Sequence, residues 1–141
     1  CPSALAAISH CLLDADWHVR QAALEALPEA APPGDAGALE VATLAVGDES
    51  WDIRRAAAKA VARIALPGDS VAVGALAGLA WDGNDVVKWA AMEALGQVAV
   101  QGDAKALEAL LKNIGSGNEN IRWAVVEALG KVATPGEAMA L

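Results

Sequence analysis

Asp14, Asp48 and Asp82 stand six residues before Arg20, Arg54 and Lys88, and a fourth member of the series has Ser116 before Arg122. A carboxylate and a cation at fixed spacing can exchange a proton, so the pattern has first to be weighed as an acid–base array. Its recurrence argues otherwise. A catalytic constellation is normally unique along a chain, whereas this one returns every 34 residues. Asp14, Arg20, Asp48, Arg54, Asp82, Lys88 and Arg122 are read as a structural ladder of charged hydrogen bonds. Each rung would tie a loop to its own or the next unit.

Other reactive groups are sparse. His10 and His18 are the only histidines, Cys1 and Cys11 the only cysteines, and there is no CxxC or HExxH. No metal ligands are assigned. P-loop, GxSxG and GxGxxG motifs are absent. His10 adjoins Cys11, but no third group orients the imidazole, so no thiol nucleophile is assigned. On one helix the two cysteines would lie about 15 Å apart. That exceeds the reach of a disulfide, so free thiols and a reducing, cytoplasmic setting are expected. No catalytic residue and no cofactor are expected.

Tryptophan is the second feature. The chain has five Trp but no Phe or Tyr. Trp17 and Trp51 share one 34-residue column, Trp89 and Trp123 share another, and Trp81 stands alone. Positions 17, 21, 24 and 28, with their equivalents, are expected beside a buried stripe and not on it. A stripe of Trp17, Trp51, Arg55, Trp89, Met92, Trp123 and Val126 would then be available to a partner, since exposed Trp beside apolar residues marks binding hot spots. The alternative is that each Trp packs across neighbouring helices.

The elements that position these residues follow from the repeat. Val19, Ile53, Val87 and Ile121 precede the basic column, and Ala23, Ala57, Ala91 and Val125 follow it. Val19, Ala22, Ala23, Ala26, Leu27 and Ala30 recur at helical spacing on one face. Asp16, Ser50, Asn84 and Asn118 are N-cap types just before that helix, and Asp35, Asp69 and Asp103 hold the same place before the other helix of each unit. Gly34, Gly68, Gly102 and Gly136 mark the boundaries. First helices are predicted over 3–13, 36–46, 70–81 and 104–114, and second helices over 17–31, 51–65, 85–99 and 119–133. Residues 137–141 read as a truncated ninth helix. Pro28 should kink or shorten the first of the second helices. The expected fold is all-α, one solenoid domain with repeats at about 1–34, 35–68, 69–102 and 103–136.

The strings 48–57 and 118–130 (DESWDIRRAA and NENIRWAVVEALG) resemble HEAT repeats. They are similar to the short HEAT-like repeats of phycobilisome lyase subunits and bacterial scaffold proteins. The resemblance implies a right-handed α-solenoid whose second helices line the inner, concave surface. It also offers an auxiliary subunit of a bilin or tetrapyrrole lyase as an alternative role. HEAT-like hydroxylases carry His-Glu pairs for a di-iron site, and this chain has no His-Glu.

Composition bounds the partners. The 141 residues are 55% hydrophobic and carry a net charge of −8. That charge disfavours nucleic acid and anionic membranes. Arg54, Arg55, Lys59 and Arg63 gather on one second helix, most simply as a solvated face. The function expected is a non-catalytic scaffold that binds a peptide or protein surface. A purely structural segment of a longer solenoid is the other alternative. The terminal helices lack polar outer faces, so self-association through them is expected.

Overall fold

A computed structural model describes residues 2–133, and among them every regular element is helical. The helices alternate in two layers. First helices are α1 (Pro2–Cys11), α3 (Ala36–Ala45), α5 (Ser70–Gly78) and α7 (Ala104–Lys112). Second helices are α2 (Trp17–Ala30), α4 (Trp51–Ile64), α6 (Asp85–Val98) and α8 (Glu119–Val132). A single 3-10 turn, Leu79–Trp81, extends α5 where a longer α-helix was predicted. The predicted ninth helix at 137–141 lies outside the described residues.

Capping chemistry sets the starts. Asp35, Asp69 and Asp103 accept from the backbone N–H groups of Ala38, Ala72 and Ala106. Asp16, Asn84 and Asn118 do the same for the second helices. Ser50 holds the cap position but makes no side-chain cap bond. Pro28 does not shorten its helix. The helix α2 has 14 residues, as do α4, α6 and α8. Pro28 lies in the last turn, where only one intrahelical bond is lost and Ala31 N–H still reaches the Leu27 carbonyl.

The second helices pack chiefly on one another, α2 on α4, α4 on α6 and α6 on α8, and each also packs on its own first helix. Each inner second helix therefore buries three flanks. The innermost column, Leu27, Val61 and Leu95, is fully buried. Ala56, Ala90 and Ala124 are buried against the preceding second helix, whereas their counterpart Ala22 is exposed because α2 has no preceding second helix among the described residues. Small residues on this seam permit close approach. A Cβ added at Gly96 would lie 3.0 Å from the Ala128 Cβ.

The boundary glycines do more than stop helices. Residues 32–35, 66–69 and 100–103 form reverse turns, each closed by an aspartate N–H on the carbonyl three residues back. Gly34, Gly68 and Gly102 take the third position with φ of 76°, 79° and 83°, which L side chains disfavour. Their N–H groups each donate over 2.7 Å to Ile64, Val98 and Val132, the last residue of the second helix in the following unit. One glycine column thus clasps each joint between units. Gly68→Ala is expected to cost about 1–2 kcal/mol from the left-handed φ alone. The new methyl would also meet Val100 Cγ1 at 3.0 Å. Urea unfolding checks this, and an unchanged midpoint would count against the clasp.

Candidate partner-binding face

Once three flanks of a second helix are buried, one face remains open. On α4 that face carries Arg55, Lys59 and Arg63, and on α2 it carries Gln21, Glu25 and Glu29. Together these line a cleft of about 320 Å³ between the two helices. No carboxylate of Glu25 or Glu29 comes within 4.0 Å of Lys59 or Arg63 among the described ion pairs. The facing charges are solvated neighbours and not bridges. On α6 and α8 the same face carries Trp89 and Glu93, and Trp123 and Glu127. A narrower cleft between them is lined by Glu93, Gln97, Glu127 and Lys131.

Arg55, Trp89 and Trp123 thus share one column on the open face of consecutive units, with Arg55 half-buried and both Trp exposed. Trp89 is 37% exposed and Trp123 67%. Trp17 and Trp51 stand at the N-terminal ends of α2 and α4, also beyond the core. Trp17 stacks on His18 with ring centroids 3.7 Å apart. Asp16 holds that imidazole through its Nδ1 at 3.0 Å. Hydrogen bonds from the His18 backbone N–H and ring keep the Asp16 carboxyl below its ordinary pKa.

One expected position needs correction. Met92, placed on the partner-facing stripe by its spacing, is fully buried. Its column mates Leu24 and Ala58 are buried as well, while Val126 is 60% exposed. This column faces the following second helix. It is covered in α2, α4 and α6, and α8 has no following helix among the described residues. The stripe therefore divides into a solvent-facing row holding Arg55, Trp89 and Trp123, and a seam holding Met92.

The charged ladder ties loops both within a unit and across to the next. Arg20 Nη1 returns to the carbonyl of Asp14, six residues back, but its Nε and Nη2 donate to the carboxylate of Asp48 in the next unit. Arg54 repeats this, with the Asp48 carbonyl behind and the Asp82 carboxylate ahead at 2.7 and 3.2 Å. Each aspartate also accepts a backbone N–H two residues on, Asp14 from Asp16, Asp48 from Ser50 and Asp82 from Asn84. Both expected ties are present, the carbonyl six residues back within the unit and the carboxylate of the next unit across the joint. Lys88 breaks the series, with its nearest carboxylate Asp85 at 4.0 Å. Among the described residues Arg122 keeps only the backward bond, to the Ser116 carbonyl.

The sequence reading does not include Asn113, the one polar residue buried as a whole among the described residues. Its Nδ2 donates to the carbonyls of Ala109 and, across the joint, Ala80 in the 3-10 turn. An Asn in a column otherwise held by Cys11, Ala45 and Leu79 was the available signal. No group of three or more His, Cys, Asp or Glu stands together among the described residues. None of the described helices is long and apolar enough to cross a membrane.

The chain is similar to several solved helical repeat structures. A designed armadillo repeat protein in complex with the peptide (KR)4 is 23% identical, with a TM-score of 0.72 over 91% of this chain and 64% of that one. Human deoxyhypusine hydroxylase in complex with glycerol is 22% identical, with a TM-score of 0.70 over 89% of this chain and 42% of the hydroxylase. The complex of CpcE and CpcF of phycocyanin lyase from Nostoc sp. PCC7120 is 20% identical, with a TM-score of 0.66 over 92% of this chain and 78% of that one. The chain spans less than two thirds of the first two. At these identities the likeness concerns the fold. No curated protein sequence matches. The sequence profile for HEAT repeats matches residues 2–96 and again 75–141. With its paired helices stacked unit on unit and both matches lying along that stack, the chain belongs to the HEAT-repeat family.

Proposed function

We propose that the chain is a non-catalytic interaction scaffold that holds an extended, cationic peptide segment against the open face of its second helices. The observation that carries this reading is the column of Trp89 and Trp123 on consecutive units. Each has a carboxylate one turn further along its helix, Glu93 and Glu127. A Trp face attracts a guanidinium or ammonium group, and a neighbouring carboxylate completes the contact. The net charge of −8 likewise favours a cationic partner. A structural neighbour in complex with (KR)4 supports a peptide as the occupant.

The probe is labelled (KR)4 titrated against the full chain. Replacing both Trp89 and Trp123 with Ala is expected to weaken binding by at least about thirtyfold, as for two hot-spot residues. Helical circular dichroism should be retained, because neither ring belongs to the core. Undiminished binding would rule out this face. An auxiliary role in a bilin lyase is the second reading, favoured by likeness to the CpcE and CpcF complex. Self-association would draw on exposed Trp123 and Val126 of α8.

A further inference from the structure

The charged ladder has a gap at its third joint. At the first two joints an arginine of one unit meets an aspartate of the next, Arg20 with Asp48 and Arg54 with Asp82. At the third, Lys88 faces a loop where Ser116 holds the aspartate position. Ser116 Oγ keeps one duty of that aspartate, accepting the Asn118 N–H at 3.1 Å. It has no charge to return to Lys88.

Both side chains are shorter than those of the earlier rungs, and a cavity of about 720 Å³ opens beside them. Trp81, Asp85, Lys88, Lys112, Ser116 and Asn118 line it. Asp85 satisfies Lys88 poorly, at 4.0 Å, and shares its other oxygen with Asn118 Nδ2 at 3.4 Å. No carboxylate lies within 4.0 Å of Lys112 among the described ion pairs. Trp81 is 54% exposed and supplies an apolar wall.

We propose that this cavity receives an aspartate or glutamate side chain of a partner peptide, which completes the third rung in trans. The template is internal, since Asp48 and Asp82 seat a carboxylate at the matching place in the two preceding joints. Lys88 and Lys112 donate to the incoming carboxylate, and an apolar residue beside it covers Trp81. The site lies at the loops between helices and does not depend on binding at Trp89 and Trp123.

The test uses a fluorescein-labelled decapeptide of alternating leucine and aspartate, followed by anisotropy with the full chain. The same peptide with asparagine for aspartate is the control. Combining Lys88→Arg with Ser116→Asp rebuilds the rung in cis. Saturable binding is expected for the aspartate peptide, with at least a tenfold loss for the asparagine peptide and for the double variant. The double variant should unfold at the parent midpoint or above it, which shows that the loss is not misfolding. Lys88→Met should lose binding to the same extent. The proposal is overturned by any of three results: no saturable binding, equal binding by parent and double variant, or displacement by succinate at the same carboxylate concentration as the peptide.

Discussion

Met92→Ala is expected to destabilise the fold by about 2–5 kcal/mol, the range for emptying a buried large apolar site. Val126→Ala, in the same 34-residue column, should stay within about 0.5 kcal/mol of the parent. The two residues share helix position and similar chemistry. They differ in what lies beyond them. Met92 is sealed between α6 and α8, and Val126 is 60% exposed. Urea unfolding of both variants measures the contrast. Equal losses would mean that the column is not a seam between second helices. A neutral Met92→Ala would return Met92 to the open face.

Asp82→Ala should cost about 2–3 kcal/mol, because one side chain closes three hydrogen bonds. Two come from Arg54 and one from the Asn84 N–H. The carboxylate is only 8% exposed, so its removal strands the Arg54 guanidinium in a poorly hydrated place. Asp14→Ala is the matched control. Asp14 is exposed and accepts only from the Asp16 N–H, so about 0.5 kcal/mol is expected. Chemical unfolding at low and high salt decides the matter. If both substitutions cost the same, the forward rung contributes nothing and only the local turn matters.

The helices were legible because three signals coincide in every unit. A capping residue, an apolar period and a terminal glycine recur in one register, and the second helices begin where that register places them, at Trp17, Trp51, Asp85 and Glu119. The open face was legible only in part. A helical wheel shows which residues share a side, but it does not show that a second helix is flanked on both sides by its equivalents. That is why Met92 was assigned to the same stripe as Trp89. The ladder was legible by type, and the spacing left open whether a rung closes on its own unit or on the next. Stacking decides it, bringing the Asp48 carboxylate to Arg20, 28 residues earlier. The forward bond from each boundary glycine carried no side-chain signal at all, because the backbone supplies both donor and acceptor.

The joints between units are also directional. Arg20 and Gly34 donate into Asp48 and Ile64, and Arg54 and Gly68 donate into Asp82 and Val98. Each unit presents donors on one side and acceptors on the other. Two such stacks meeting by like ends would set cation against cation, or carboxylate against carboxylate. Twofold pairing through these surfaces is therefore disfavoured, and the joint repeats only head to tail. A head-to-tail contact of this kind carries no closing step of its own, so the number of units it can join is limited by whatever occupies its ends.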